Sequence, residues 1–189
     1  MANEKLGILQ LLIENKEEKW SIRQISLQRR INYKSAYQAV KKLEKEGVVN
    51  LEKMGNVTLC SFNSKCNSTT FAAEEGRRNE AIRDKKVSAV FSSLDDIPEL
   101  YIALLFGSQV KGTAARSSDI DLLIISEQVQ KIQEELSVLP LQIHITALTL
   151  KEFISMLKSK ERTIVSEAVK KNIILVGIED YYRVLGNAF

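Results

Sequence analysis

The stretch LFGSQVKGTAARSSDIDLLIIS, residues 105–126, decides how this chain is read. Gly107 and Ser108 are followed, after a spacer of ten residues, by Asp119, Ile120 and Asp121. Apolar runs flank the polar middle: YIALLF at 101–106 before it, Ile120 and LLII at 122–125 after it. Two buried strands joined by a polar hinge account for that pattern. Side chains at i and i+2 of a strand share a face, so the two carboxylates project together. A small turn beside a twin-carboxylate strand suits a metal-bound triphosphate.

Further along, residues 127–136 read as a helix, and 141–148 alternate apolar and polar like a strand. Thr149 and Glu152 form a capping box that opens a helix with Phe153, Met156 and Leu157 on its apolar face. Another helix is expected over 162–171, a short strand over 173–176 ended by Gly177, and a helical tail over 179–185. Upstream, residues 73–94 read as one long helix with Val87, Phe91 and Leu94 on one face, broken by the Asp95-Asp96-Ile97-Pro98 run. The polar, aperiodic run at 65–72 reads as a linker.

Before it, Leu6, Leu9, Leu12 and Ile13 make the stripe of a first helix, and the Ser21–Gln24 capping box opens a second. A turn around 29–32 precedes a third helix over 33–46, stopped by Gly47. Strands at 48–51 and 57–62, with Gly55 and Asn56 between them, predict a hairpin. Ala36, Val40 and Leu43 form the buried side of the third helix; Lys34, Gln38, Lys41 and Lys45 lie opposite, flanked by Ser35 and Tyr37. Residues 1–65 carry twelve Lys/Arg against seven Asp/Glu, and the rest of the chain is slightly acidic. That asymmetry points the first third towards nucleic acid. Lysines there neutralise phosphates, while Gln, Ser and Tyr reach bases or backbone; Arg29, Arg30 and Lys53 add backbone contacts.

Composition excludes several classes. No apolar run approaches a membrane span, and the first twenty residues lack a secretion-signal layout, so a cytoplasmic location is expected. Two cysteines, Cys60 and Cys66, argue against a disulfide framework, and a single histidine argues against a His-based metal cluster or catalytic triad.

The order helix, helix, turn, helix, hairpin resembles the winged helix-turn-helix domains of prokaryotic transcription regulators, over about residues 4–63. The run FGSQVKGTAARSSDIDLLI resembles the signature of the minimal nucleotidyltransferases, within the DNA polymerase β superfamily, over about residues 73–189. Together these imply an α/β (α+β) fold: a winged helix at 1–64, a linker at 65–72, and a mixed sheet with flanking helices at 73–189. The second resemblance implies nucleotide binding by Gly107, Ser108, Lys111 and Arg116. It also implies Mg²⁺ at Asp119 and Asp121, in a two-metal site, with an NTP as substrate or ligand. The implied activity is transfer of NMP from NTP to a hydroxyl acceptor, protein or small molecule. Some relatives modify a protein partner, notably HEPN-type toxins. The family also supplies a third carboxylate from a later strand, and the strand at 141–148 has no Asp or Glu. Counting back from the Thr149 helix start, Gln142 falls at its place; His144 is on the same face, and either residue is a substitute. Two readings therefore stand: a DNA-binding nucleotidyltransferase, or a transcription regulator whose second domain is inactive and serves as a nucleotide sensor or dimerisation platform. Homodimer formation fits either.

Overall fold

A computed structural model describes residues 2–111, 118–159 and 163–188. The chain forms two compact units, Met1–Glu75 and Gly76–Phe189.

In the first unit, α1 (Ala2–Glu14) buries Ile8, Leu9, Leu11, Leu12 and Ile13. That face is wider than the expected stripe, and Leu6 is only half-buried. Ser21 caps α2 (Ile22–Gln28) through the full box: its hydroxyl accepts from the Gln24 amide, and Gln24 Oε1 accepts from the Ser21 amide at 2.8 Å. Asn32 caps α3 (Tyr33–Lys45), accepting from the Ser35 amide at 2.8 Å. Ala36, Ala39, Val40 and Leu43 recur at helical spacing and form its buried face. Gly47, at φ 72°, takes the left-handed step that ends the helix. Strands β2 (Val49–Met54) and β3 (Val57–Phe62) pair antiparallel, with Met54 opposite Val57 across the turn. A two-residue strand β1 (Trp20–Ser21) adds to β3, giving the order β1-β3-β2.

Cys60 is a free thiol, fully buried on β3. Burial, with the Glu44 charge nearby, pushes its thiol up to about 12. A disulfide-exchange reagent at pH 8 is therefore expected to titrate one thiol per native chain, Cys66, and two after denaturation. Rapid reaction of two thiols in the native protein would contradict this burial.

The polar run at 65–72, expected as a linker, is packed. Asn67 Oδ1 accepts from the Thr69 and Thr70 amides at 2.9 and 3.0 Å, and Thr70 Oγ1 donates to the Lys65 carbonyl at 2.7 Å. Asn67 Nδ2 and Thr69 Oγ1 donate to Glu46. These bonds satisfy the groups that open α4 (Ser68–Ala81). The single helix expected over 73–94 is in fact two. Asp84 accepts from the Lys86 and Val87 amides at 2.8 and 3.2 Å, which starts a new helix, α5 (Lys85–Asp95). An aspartate that caps in this way offers the backbone an alternative to continuing the preceding helix.

The second unit is built on a four-stranded mixed sheet. Its strands are β4 (Ile102–Phe106), β5 (Ile120–Ile125), β6 (Ile143–Leu148) and β7 (Ile173–Val176), in the order β6-β5-β4-β7. β4 runs antiparallel to β5 and β7, while β5 and β6 are parallel. The parallel pair needs a crossover, which α7 (Val129–Ser137) supplies. On one face Ala103, Leu105, Ile120, Leu122 and Ile124 pack with Val87, Val90 and Leu94 of α5 and Ile132 and Leu136 of α7. α8 (Leu150–Lys158), α9 (Ile164–Lys170) and α10 (Ile178–Ala188) contact β4 and β6. Arg77 and Arg78 on α4 donate to the carbonyls of Asn172 and Leu175, and Arg78 also lies over the Phe91 ring. The architecture is a mixed α/β fold. Among the described residues no helix is long and apolar enough to cross a membrane.

Candidate functional site

On the first unit, α3 turns Lys34, Tyr37, Gln38 and Lys45 outward, with Ser35 and Lys41 half-exposed. Tyr37, Gln38, Lys41, Lys42 and Lys45 line one surface groove. Lys42 is an addition the helical wheel did not single out. Lys41 donates to Glu44 at 2.7 Å, and that bond holds its ammonium above the usual lysine range. The Tyr33 and Tyr37 rings stack 6.5 Å apart. Arg30 and Lys53 are exposed. Arg29 is exposed too, but its guanidinium lies against α1: a Cβ on Gly7 would stand 2.2 Å from Arg29 Nη2. Its position is therefore tied to packing as well as to solvent.

On the second unit, sheet topology gathers the remaining candidates at one end. β4 ends where β5 begins, with Phe106 opposite Asp121, and β6 begins alongside, with His144 opposite Asp121. Residues in register on neighbouring strands project to the same face. Asp121 is the one residue of β5 that is not buried, although its neighbours Ile120 and Leu122 are. A carboxylate at a strand mouth keeps its hydration, whereas burying it unpaired would be costly. Asp119 and Asp121 are 35% and 30% exposed in their side chains.

Gly107 follows β4 directly, at φ 74°. A Cβ there would lie 2.1 Å from Asp121 Oδ2. So the missing side chain leaves room for the carboxylate to abut bare backbone. Ser108, half-buried, opens the single turn α6 (Ser108–Lys111). Lys111 closes that turn, but its side chain lies outside the described residues, as does Arg116. Lys86 on α5 donates to the Ser118 carbonyl at 3.1 Å, which anchors the chain one residue before Asp119. Local sequence gives no sign of this tie, since it joins positions 32 residues apart.

Of the two substitutes on β6, His144 meets the carboxylates. Its Nε2 lies 3.6 Å from Asp119 Oδ2 and its Nδ1 3.7 Å from Asp121 Oδ1. Gln142 instead contributes its carbonyl, which accepts from the Ile120 amide at 2.9 Å, and its side chain is exposed. Glu152 is engaged in its capping box with Thr149. The Thr149 amide and hydroxyl hold its carboxyl below the usual range. Among the described residues no three of His, Cys, Asp and Glu are gathered tightly enough to hold an ion as they stand. The two nitrogens of the His144 ring face different carboxylates. The two carboxylates themselves have the oxygen chemistry, exposure and shared face that a hard divalent cation needs.

Among curated proteins, none matches this chain. A solved structure described as "Crystal structure of the toxin-antitoxin with AMP-PNP" is similar to it at 22% identity and a TM-score of 0.36, over 53% of this chain and 82% of that one. The family described as "Polymerase beta, Nucleotidyltransferase" matches residues 85–181, just over half of the 189. That span runs from the first residue of α5 through all four strands and takes in Gly107, Ser108, Asp119, Asp121 and His144. The chain with this glycine–carboxylate sheet end belongs to the polymerase β nucleotidyltransferase family.

Proposed function

We propose that this is a DNA-binding nucleotidyltransferase with two functional domains, a winged helix-turn-helix at 1–64 and a transferase domain at 73–189. The observation that carries the catalytic half is the contact between the Gly107 backbone and the Asp121 carboxylate, with Asp119 on the same face. It brings an open main-chain approach for phosphate oxygens beside a pair of cation-binding carboxylates. The substrate is an NTP and the acceptor a hydroxyl on a protein or small molecule. An acceptor oxygen bonds to the α-phosphorus, the bond to pyrophosphate breaks, and the hydroxyl proton is released. Asp119 and Asp121 hold the divalent cation, Mg²⁺ in most such sites, which screens the phosphate charge when bound. Ser108 donates its hydroxyl to phosphate, and Lys111 and Arg116 offset charge from the segment after it. Lys86 keeps Asp119 in place through the Ser118 carbonyl.

The test is incubation with each labelled NTP and Mg²⁺, with cell lysate as the source of acceptor. Label transfer supports the enzyme. One observation favours a second reading, a regulator that senses nucleotide without turning it over: β6 lacks any Asp or Glu. NTP binding by calorimetry without label transfer selects that reading, and absence of both removes the nucleotide role.

The DNA-binding half rests on the lysine face of α3 and its groove. Lys34→Ala with Lys45→Ala is expected to weaken binding to all DNA sequences alike. It should flatten the slope of log affinity against log salt by about 0.9 per lysine. Lys41→Ala should cost less than Lys34→Ala, because Glu44 already neutralises Lys41. Unchanged binding and slope in the double variant would rule out this face.

A further inference from the structure

We infer that the outer edge of β6 is a docking surface for a second copy of this chain, paired antiparallel about a two-fold axis at Ile145 so that two sheets join into one.

The edge is open. β6 stands at the end of the order β6-β5-β4-β7, and among the described residues it pairs with β5 alone. The Ile120 amide donates to the Gln142 carbonyl at 2.9 Å, and the Ser126 amide to the Leu148 carbonyl at 3.0 Å. A parallel ladder alternates, so the backbone groups of His144 and Thr146, between those two, also face β5. Those of Ile143, Ile145 and Ala147 face outward, and among the described residues no backbone partner meets them. A row of unpaired amides and carbonyls is a template for another strand. Sheet edges that stay single are commonly blunted by a lysine, a proline or a bulge. The strand IHITAL contains neither residue, and its register with β5 runs without a shift.

The strand complements itself. In an antiparallel pair centred on Ile145, Ile143 faces the second copy's Ala147, and Ile145 faces its own counterpart. Every outward amide then meets an outward carbonyl. The large Ile143 side chain lies beside the small Ala147, and no Lys, Arg, Asp or Glu in the strand opposes a like charge. A separate observation comes from the flanks. Val138, before β6, and Leu150, after it, are exposed large apolar residues. Antiparallel pairing sets the start of one strand beside the end of the other, so each copy's Val138 comes to the end that holds the other's Leu150. The same pairing puts the second copy's Thr146 opposite His144, so that copy borders the sheet-end site. An extended segment of a different protein would use the same groups without this symmetry.

Sedimentation of the purified full-length chain over a range of micromolar concentrations is expected to show a reversible monomer–dimer equilibrium. Ala147→Pro removes an outward amide from each copy and spares the β5 ladder, because an edge strand tolerates proline where its N–H faces solvent. It should raise the dimer dissociation constant by about tenfold or more. Cross-linking reads the register separately. In a Cys66→Ser background, Ile145→Cys should form an intermolecular disulfide on mild oxidation. Residues facing each other in a hydrogen-bonded pair have Cα atoms about 5.5 Å apart, within the reach of a disulfide. Ile143→Cys should not, since it stands about 13 Å along the strand from its counterpart. If Ala147→Pro lacks a cooperative melting transition, the cross-linking pair decides alone. A chain that stays monomeric, a dimer unaffected by a folded Ala147→Pro, or cross-linking that does not distinguish position 145 from 143 overturns the inference. None of these results touches the proposed transferase, which label transfer decides.

Discussion

Asp119→Ala/Asp121→Ala is expected to abolish label transfer, by at least about 10³-fold, without lowering the stability of the protein in cation-free buffer. The loss follows from what the pair supplies. Preorganised electrostatic groups facing developing charge are each worth about 10²–10³ in rate, and this substitution removes both carboxylates at the mouth of β5. The stability argument runs the other way. Side chains at i and i+2 of a strand lie roughly 6.5 Å apart. Two like charges at that distance repel by about 0.6 kcal/mol in water and about 2.5 kcal/mol at an effective dielectric near 20. The partly exposed pair lies between those limits, so alanine relieves strain instead of adding it. Adding cation separates the two proteins again. It should raise the melting temperature of the unsubstituted chain by mass action and leave the double variant unmoved. Equal transfer by both proteins would remove Asp119 and Asp121 from the site. A double variant that melts lower in cation-free buffer would show that the carboxylates serve packing.

Local pattern made much of this legible. The apolar runs around Asp119 and Asp121 fixed β4 and β5, and the boxes at Ser21 and Thr149 marked two helix starts that the structure contains. What local pattern missed has a common cause. Strand β1 has two residues, too few to show a period. The break between α4 and α5 depends on whether Asp84 caps or stays inside a helix, and nothing adjacent to it settles that competition. Counting back from the Thr149 helix start gives Gln142 for the third-carboxylate position, with His144 on the same face as the other substitute, and local pattern does not choose between them. Register between parallel strands is a tertiary property, and the pairing of Ile120 with Ile143 puts His144 beside Asp121. Lys86 reaching Ser118 is long-range in the same sense. On α3 the wheel separates outward Lys34, Gln38 and Lys45 from buried Ala36, Val40 and Leu43 because one helix determines its own faces; it does not single out Ala39 on the buried side or Lys42 at the groove's edge.

Gly107→Ala is expected to cost far more function than stability, and Gly55→Ala provides the control that separates the two. Both glycines have positive φ, 74° and 58°. An L side chain in that region costs about 1–2 kcal/mol. For a chain of this size, that corresponds to a fall of about 2–4 °C in melting temperature per kcal/mol. The surroundings differ. Nothing lies within 4 Å of a Cβ at Gly55, so its alanine variant bears the backbone cost alone. At Gly107 the new methyl would meet Asp121 Oδ2 at 2.1 Å, Cγ at 3.0 Å and Cβ at 3.3 Å. Rotating the carboxylate away relieves the first contact. The last involves an atom fixed to the β5 backbone, so the turn itself must shift. Either response moves Asp121 from Asp119 and His144, or moves the main chain from the proposed phosphate position. A displacement of about 1 Å in a positioned group is enough to cost about 10²-fold in rate. Gly107→Ala should therefore retain a cooperative melting transition a few degrees lower, with transfer reduced about 10²-fold and cation binding weakened. Gly55→Ala should show a similar thermal shift with transfer unchanged. Comparable loss of transfer in both variants would show that backbone strain, and not the approach of Gly107 to Asp121, limits the site.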